Sequence, residues 1–428
     1  MGEGVLTSGF SRVEGGTLSC EGVPLEHIAA DVGTPAYVYS ASMVRDRYAR
    51  LDDAFASLPH RVHYTLKANS NAGILRALRE LGAGVDVVSG GELFRALRAG
   101  FRGEDIIFGG VGKAEHELRE ALDARVMLVN AESEAEVRLL DRIAREMGIV
   151  APVGLRVNPE VTVDSSHRYI KTGEKGAKFG VPFDDVLAVA RLAAELPNTA
   201  LLGLDMHIGS QLFRLDPYVD GVERLIGLLE QIRAAGIDTV RYLDIGGGLG
   251  VAYDGEKEPD LRKFARAVAS RVQPTGLTLL MEPGRFIVGN AGVLLTRVLY
   301  RKHSGGREFL VTDAGMTELL RPSHYDAYHR IDAVTPRGGA MRADVVGPVC
   351  ESGDFLALDR PMDDAYAGDL LAVHDVGAYG YVMASNYNTR PRGVEILVDG
   401  DRYAVVTARE RYEDLVRLEQ DHFEWRNG

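Results

Sequence analysis

The sequence has few cysteines, no block of basic residues and no long apolar run, and each absence argues against a class of protein. Its two cysteines, Cys20 and Cys350, are too few for a disulfide framework and lack the spacing of a zinc site. Lys and Arg number 49 against 62 Asp and Glu, a formal charge of −13, which argues against a nucleic-acid surface. No stretch reaches the roughly 18 apolar residues of a membrane helix. The start, MGEGVLTSGFSRVEGG, lacks the basic and apolar regions of a signal peptide. We therefore expect a cytoplasmic protein without membrane or nucleic-acid partners.

The central part of the chain alternates between short apolar runs and longer amphipathic runs. With 428 residues, 46% of them hydrophobic, the chain can form two domains or one large barrel with an appendage. The candidate strands are 62–67, 85–89, 105–109, 126–130, 152–158, 201–207, 242–246 and 278–282. Candidate helices between them include 71–81, 91–99, 133–147, 184–196, 217–235 and 259–272. Asn71, Ser133 and Asp216 are good residues for helix N-termini. This pattern predicts an α/β fold with a (β/α)8 barrel, and an open doubly wound sheet with the same element order is the alternative.

The two ends of the chain have a different pattern. Short strand-like runs separated by Gly, Pro and Asp occur in 4–40, 290–310, 341–358, 369–376 and 394–408. They predict a second, all-β domain, sandwich-like or barrel-like, built from both termini. The predicted limits are 1–40 for its N-terminal part, 41–285 for the barrel, and 286–428 for its C-terminal part with a closing helical tail. The long polar segment 160–180 is either a mobile surface loop or an active-site lid.

Polar residues and glycines stand where the predicted barrel strands end, and barrel enzymes place their chemistry at these ends. The set is Lys67, Ser89, Asn130, Asn158, His207, Gly246–Gly248 and Glu282. Strand alternation puts His63, Thr65 and Lys67 on one face of the first strand. In the sixth strand, Asp205 and His207 share a face. We therefore expect Lys67 and His207 at the mouth of the barrel.

Four features of this set match pyridoxal phosphate. A desolvated lysine loses its proton easily and forms a Schiff base with an aldehyde, although Lys67 could instead extend to solvent. The glycines of LDIGGGLG, 243–250, could cradle a phosphate or form a tight turn. Glu282 could keep a pyridine nitrogen protonated or form a salt bridge with Arg285 or another arginine. His207 could stack on the ring or be a core histidine bonded to Asp205. Together the four features predict this cofactor.

Other nucleotide-binding motifs fit poorly. LDIGGGLG is a weak match to GxGxxG and lacks an acidic ribose partner at the right distance. FGGVGK, 108–113, resembles a P-loop, but Ile107 stands at the first glycine position and Ala114 at the Ser/Thr position. Neither a dinucleotide site nor a P-loop is predicted.

An ordered set of motifs resembles a known family over roughly residues 12–412. The motifs are YTLKAN, VDVVSGGEL, HIGSQ, DIGGGLG, EPGR, DAGM…RPSHYDAYH, GPVCESGDFLA and GAYGYVMASNYNTRPR. The sequence is similar to the fold-type III pyridoxal phosphate decarboxylases, and within them to the diaminopimelate decarboxylase branch. The resemblance implies a barrel with a β domain, a head-to-tail homodimer with shared active sites, and release of CO2 from the D-centre of meso-diaminopimelate to give L-lysine.

The resemblance also implies a role for each motif residue. The catalytic residues would be Lys67, His207 and Cys350. Lys67 would bind the cofactor aldehyde, His207 would stack on the ring and Glu282 would pair with the ring nitrogen, while the phosphate would be held by Ser210, Gly247, Gly248, Gly284 and Tyr379. The substrate carboxylate that is retained would be bound by Arg285, Arg321 and Tyr325, and Tyr379 would also bind the substrate. From the other subunit, Glu351 would recognise the distal amino group and Cys350 would be a candidate proton donor.

Several alternatives stay open at this point. Cys350 could be a small buried hydrophobic residue. The substrate could be D-lysine, D-ornithine or a carboxynorspermidine-type compound, although a substrate with a single carboxylate would not need both Arg285 and Arg321. A non-catalytic relative that has lost the cofactor is a further possibility. An alanine racemase-like isomerase would need a tyrosine base in place of the Cys350 loop.

Overall fold

The computed structural model describes residues 9–13, 15–161, 176, 178–422 and 425–426. These residues form two compact units. One unit consists of Ala41–Ala291 together with Gly377–Tyr379, and the other contains the described parts of Met1–Ser40, Gly292–Val376 and Gly380–Gly428. The first unit therefore continues past residue 285, the limit drawn from the sequence, and includes three residues from near the C-terminus.

The first unit contains a closed barrel of eight parallel strands. In chain order the strands are His60–Thr65, Gly84–Val87, Ile106–Phe108, Leu128–Ala131, Ala151–Asn158, Thr199–Asp205, Tyr242–Asp244 and Thr278–Met281. Each strand pairs with the next, and the last pairs with the first, Met281 opposite Val62. A short strand, Val181–Pro182, adds to the end of Ala151–Asn158. This closure confirms the barrel and excludes the open sheet.

Several strands end earlier than the sequence predicted. The first ends at Thr65 rather than at residue 67, and the sixth ends at Asp205 rather than at residue 207. The N–H of Ala68 donates to the Thr65 carbonyl at 3.3 Å, so the chain turns directly after the strand. Lys67 and His207 consequently lie in the loops that follow their strands. These loops rise from the carboxyl ends of the strands, where barrel enzymes place their chemistry.

Helices follow most of the strands. The helices of this unit are Ala41–Phe55, Ala72–Glu80, Gly90–Arg98, Glu115–Asp123, Glu134–Met147, Val186–Glu195, Asp216–Ala234, Leu261–Val272 and Arg285–Val288, with 3-10 turns at Gly103–Asp105, Phe183–Asp185, Gln273–Thr275 and Gly289–Ala291. The Asn71 and Ser133 side chains cap their helices, accepting from Gly73 N at 2.8 Å and Glu136 N at 3.2 Å. Such caps satisfy N–H groups that have no partner inside the helix. Asp216 is itself the first helical residue.

The second unit is built around a nine-stranded sheet. Its strands are Ala36–Ser40, Gly292–Ser304, Arg307–Thr312, Ile331–Ala333, Ala340–Val346, Phe355–Asp363, Leu370–Val373, Val394–Asp399 and Arg402–Thr407. The strand Ala36–Ser40 lies between Gly292–Ser304 and Val394–Asp399. A separate sheet comprises Phe10–Arg12, Leu18–Cys20 and Val23–Pro24, and short helices span Leu25–Val32, Arg321–Tyr325 and Tyr412–Val416. The predicted contribution of both termini to an all-β part is confirmed.

The barrel interior is filled with side chains. Ile107, Leu128 and Leu280 form a fully buried cluster. His63 is also fully buried, and a Cβ at Gly84 on the adjacent strand would collide with its ring. None of the helices in the described ranges combines the length and apolarity needed to cross a bilayer. The polar residues at the carboxyl end of the barrel define the candidate site.

Candidate active site

Lys67 lies at the carboxyl end of the first barrel strand and contacts a buried acid. Its Nζ is 3.3 Å from Oδ2 of Asp86, which is 1% exposed. The contact follows from strand register, because Thr65 is paired with Asp86. Burial alone would lower the pKa of Lys67, but the carboxylates of Asp86 and Glu282 outweigh it and hold this pKa above its usual value. For the side chains as they are arranged here, the neighbouring carboxylates therefore oppose the proton loss that desolvation was expected to favour.

Three buried acids meet at the ends of consecutive strands. Asp205, Asp244 and Glu282 each place a carboxylate oxygen within 4.8 Å of the others. Asp205 and Asp244 end paired strands and lie opposite each other in the register. Glu282 directly follows the next strand, and its N–H donates to Gly246 O at 2.8 Å. The cluster is therefore a direct product of the barrel's strand order.

Burial and mutual repulsion shift the proton affinity of this cluster. Burial raises the pKa of Asp205 to about 7, although the Arg156 guanidinium opposes the shift. Burial and then the Asp244 carboxylate raise the pKa of Glu282 well above its usual value. The pKa of Asp244 is raised in the same way, chiefly by burial and then by Asp205. The cluster therefore holds protons at neutral pH or accepts a cation.

Asp205 and Asp244 were not proposed as site residues from the sequence. In the sequence analysis, Asp205 was considered only as a partner for His207, and Asp244 only as part of a glycine-rich motif. Both satisfy the criterion that identified Glu282, which is an acid at the carboxyl end of an apolar strand. Arg156 and Glu132 were also missed. They form an ion pair at 3.0 Å between neighbouring strand ends.

His207 is a neutral, half-buried imidazole above the barrel. Its Nδ1 accepts the N–H of Gly247 at 3.2 Å, which places the ring proton on Nε2. Burial, then the charges of Lys67 and Arg156, lower the pKa of His207 well below its usual value. The ring is thus fixed by the glycine turn, whereas the sequence had considered Asp205 as its partner.

The glycine turn 246–248 requires glycine for conformational and steric reasons. Gly246 and Gly248 have φ of +66° and +103°. A Cβ on Gly247 would meet the carbonyl group of Glu282, and one on Gly248 would meet the carbonyl group of Gly209. The Tyr218 hydroxyl donates to Gly247 O at 2.8 Å. The turn therefore packs closely against the loops that follow the sixth and eighth strands. This close packing agrees with the interpretation of LDIGGGLG as a tight turn.

Arg285 is surrounded by hydroxyl groups. Its Nε and Nη2 lie 3.3 and 3.2 Å from Ser210 Oγ, and Nη1 donates to the Tyr253 hydroxyl at 2.8 Å. The guanidinium carbon lies 4.8 Å from the centre of the Tyr379 ring. Gly284 immediately precedes it, and a Cβ there would meet the side chain of Thr65. These contacts hold the guanidinium of Arg285 beside Ser210, Tyr253 and Tyr379.

Tyr379 adopts a strained backbone conformation at this position. Its φ is +57°, in the left-handed region that side chains other than glycine rarely occupy. The Tyr379 N–H donates to Ala68 O at 2.8 Å, next to Lys67 in sequence. This bond ties the segment 377–379 to the end of the first strand and brings Tyr379 to the same end of the barrel.

The remaining predicted residues lie in the β unit. Arg321, 7% exposed, begins the helix Arg321–Tyr325, and its Nη1 is 3.1 Å from Nε2 of His329. Tyr325 is half-buried at the end of the same helix. The short helix therefore carries a buried cation and an accessible phenol.

Cys350 and Glu351 are exposed on a loop of the β unit. The loop is held by Asp354, whose Oδ1 accepts from Met316 N and whose Oδ2 accepts from Val349 N, both at 2.6 Å. The N–H of Cys350 donates to Asn388 Oδ1 at 3.2 Å. This exposure rules out the interpretation of Cys350 as a small buried hydrophobic residue.

Lys113 has a structural role, and the segment 160–180 is largely undescribed. The Nζ of Lys113 in FGGVGK is buried and donates to Gly110 O, Asn130 O and Glu136 Oε1 at 2.6–2.8 Å, so it serves to join adjacent loops. Most of the segment 160–180, interpreted as a surface loop or a lid, lies outside the described residues.

Comparisons with known proteins assign this arrangement to a family. A model described as "Pyridoxal-dependent decarboxylase, pyridoxal binding domain" matches residues 41–289. The diaminopimelate decarboxylase of Pseudomonas aeruginosa is 49% identical over 399 residues, covering 93% of this chain and 95% of the relative. That of Vibrio cholerae is 45% identical over 412 residues, covering 96% and 98%. The solved diaminopimelate decarboxylase of Helicobacter pylori complexed with L-lysine is 39% identical, with a TM-score of 0.89 and coverage of 92% and 99%. The chain therefore belongs to the pyridoxal-dependent decarboxylases, in the diaminopimelate decarboxylase family.

Proposed function

We propose that this protein binds pyridoxal phosphate and decarboxylates meso-diaminopimelate at its D-centre, giving L-lysine and CO2 as the last step of lysine biosynthesis. The observation that carries the proposal is the contact of Lys67 with Asp86 at the same barrel end as the buried acids Asp205, Asp244 and Glu282. An amine and a group of protonatable acids suit an aldehyde attached to a basic heterocycle. The family membership supports the same reaction.

The side chains of the barrel unit fit the cofactor. Five acids near this end of the barrel are buried, namely Asp86, Glu132, Asp205, Asp244 and Glu282, whereas Lys67 and Arg156 are partly exposed. The Asp205 Oδ1 and Asp244 Oδ2 oxygens are buried without a hydrogen-bond partner. Such a region stabilises a protonated ring nitrogen, with Glu282 as its proposed partner. When bound, pyridoxal phosphate supplies an electron sink for the electron pair left by the departing carboxylate.

Lys67 would react with the cofactor aldehyde through its amine, which must first lose a proton. Asp86 Oδ2, 3.3 Å away, would hold this amine at the end of the barrel. His207, neutral and fixed by Gly247, would cover one face of the ring without adding a competing positive charge. The carboxylate that is lost would then have to depart on the ring face opposite His207.

The anionic groups would bind near Arg285. We assign the phosphate to Ser210, Gly247, Gly248, Gly284 and Tyr379. Arg285 contacts both Ser210 and Tyr379, so it can serve this phosphate as well as the substrate carboxylate assigned to it from the sequence. The N–H of Gly247 donates to His207, so the contribution of Gly247 would lie mainly in allowing close approach of the backbone.

The β unit supplies the remaining proposed groups. Arg321 and Tyr325 would bind the carboxylate that the product retains. We further propose a homodimer in which Glu351 of one subunit recognises the distal amino group and Cys350 returns the proton to the carbon that lost CO2. The exposure of both residues on an ordered loop supports a position at a subunit surface. Homodimer formation and a cytoplasmic location remain predictions.

The decisive experiment is incubation of the purified protein and pyridoxal phosphate with meso-diaminopimelate, with detection of CO2 and L-lysine. Lys67→Ala is the control that should release neither product. D-lysine, D-ornithine and carboxynorspermidine are parallel substrates that separate the alternatives. Cofactor binding without lysine formation would contradict the proposal and favour a non-catalytic relative. Preferred turnover of a substrate with one carboxylate would reassign the substrate.

A further inference from the structure

We propose that His329 is a positioning residue that aims the guanidinium of Arg321 at the substrate carboxylate. The inference rests on the proposed function, which gives Arg321 its ligand. It is carried by a buried chain of contacts in the β unit, in which Arg321 Nη1 lies 3.1 Å from His329 Nε2 and His329 Nδ1 lies 2.8 Å from the His374 carbonyl oxygen. Both Arg321 and His329 are buried, at 7% and 0% exposure.

The two neighbours of His329 determine its tautomer. A carbonyl oxygen only accepts, so His329 Nδ1 must carry the ring proton and donate it to His374 O. A guanidinium only donates, so His329 Nε2 must be unprotonated and accept from Arg321. One ring therefore connects the Arg321 side chain to the backbone, and only the neutral Nδ1–H form makes both bonds.

The backbone around His329 is itself fixed by strand pairing. Ile331–Ala333 pairs antiparallel with Leu370–Val373, with Ile331 opposite Val373. The pairing continues beyond the strands, because His374 N donates to Arg330 O at 2.8 Å. The ring of His329 therefore links the side chain of Arg321 to the backbone of this sheet.

A neutral partner suits an arginine that binds a ligand. A carboxylate in the place of His329 would orient Arg321 equally well, but it would cancel the charge that the ligand needs. An imidazole acceptor fixes one N–H of the guanidinium and does not itself neutralise the positive charge. Positioning without neutralisation is therefore the contribution that we assign to His329.

Two variants of the full-length holoenzyme distinguish a role of His329 in positioning Arg321 from a purely structural role. In His329→Asn, the amide nitrogen can replace Nδ1 as donor to His374 O, but the shorter side chain has no atom at the place of Nε2 to accept from Arg321. In His329→Gln, the amide oxygen can occupy the place of Nε2 and accept from Arg321. Calorimetric titration would compare L-lysine, which keeps the carboxylate, with cadaverine, which has none.

We expect His329→Asn to bind L-lysine about tenfold more weakly, as expected for loss of one hydrogen bond to a charged group. Cadaverine binding should stay within about twofold, and His329→Gln should recover most of the L-lysine affinity. The KM for meso-diaminopimelate should rise in His329→Asn with a smaller change in kcat. Equal weakening of both ligands, no weakening of L-lysine, or no recovery in His329→Gln would overturn the proposal.

A second measurement determines the tautomer of His329 in the wild-type protein. Nitrogen-15 NMR of histidine-labelled protein, with His329→Gln used for assignment, should show His329 protonated on Nδ1 and not on Nε2. A proton on Nε2 would overturn the proposal even if the enzyme is active. If instead wild-type protein binds L-lysine no better than cadaverine, the carboxylate role of Arg321 in the proposed function fails, and the two failures are thereby distinguished.

Discussion

Replacement of Asp205 by Asn should stabilise the cofactor-free protein at pH 8, and this gain should shrink towards pH 5. Burial and neighbouring acids raise the pKa of Asp205 from 3.8 to about 7. Because the folded pKa is the higher one, the folded state holds a proton that the unfolded chain has released between these values. Wild-type stability therefore falls as pH rises through this window, and the asparagine variant lacks this contribution.

The magnitude follows from the shift and from one lost contact. About three pKa units at 1.36 kcal/mol each set a ceiling of about 4 kcal/mol at pH 8. The variant also loses the attraction between Asp205 Oδ2 and Arg156 Nε, which are 4.0 Å apart, while Arg156 keeps its 3.0 Å pair with Glu132. We expect a net gain of about 1–2 kcal/mol, which is a rise in Tm of roughly 2–8 °C for a unit of this size.

Thermal denaturation of the cofactor-free protein at pH 5 and pH 8 is the assay, with midpoints compared between wild type and variant. Asp238→Asn is the matched control, because Asp238 is exposed in the same unit. Its midpoint should follow that of wild type at both pH values. A lower Tm for Asp205→Asn at pH 8, or a gain of the same size at both pH values, would refute the reasoning about the buried acids.

Three further changes test separate parts of the structure. Lys113→Met should destabilise by about 3–5 kcal/mol in thermal or urea denaturation, because it leaves the Glu136 carboxylate buried without its cation; an unchanged midpoint would contradict this. Gly248→Ala should weaken pyridoxal phosphate binding and lower Tm, because its φ is +103° and a Cβ would meet a carbonyl group; fluorescence titration of the cofactor would detect it. Cys350→Ser should lower kcat without changing Tm, since the thiol is exposed; full activity would remove Cys350 from the proposed proton transfer.

Sequence periodicity was sufficient for the barrel but not for the ends of its strands. The apolar pattern continues through Leu66, whereas the parallel pairing stops at Thr65. Hydrogen bonding to the neighbouring strand, and not hydrophobicity, decides where a strand ends. The hydrophobic pattern of one strand does not indicate how far the neighbouring strand extends. The helix Glu115–Asp123 was not among the candidate helices named from the sequence, although its buried residues Leu118, Ala121 and Leu122 have helical spacing.

Contacts between strands account for what the sequence could not predict in the site. Lys67 and Glu282 were predicted because each stands alone at the end of an apolar run. The proton affinity of Lys67 depends on Asp86, which becomes its neighbour only when the register pairs Asp86 with Thr65. The same holds for Asp205 and Asp244, which meet across another pair of strands. Sequence patterns identify the groups, and the register determines their electrostatics.

The buried acids at the barrel mouth cost stability in the cofactor-free protein but favour binding of a cationic ligand. Buried carboxyl groups with raised pKa destabilise the fold at neutral pH, since the unfolded chain releases their protons more readily. Binding of a cation among these acids removes part of their repulsion. The ligand therefore stabilises the folded state, and relief of this repulsion contributes to its binding free energy. The same acids raise the pKa of Lys67 and so oppose the loss of its proton. A ligand that carries positive charge into the cluster weakens the hold of the acids on the lysine proton, which couples occupation of the mouth to activation of Lys67.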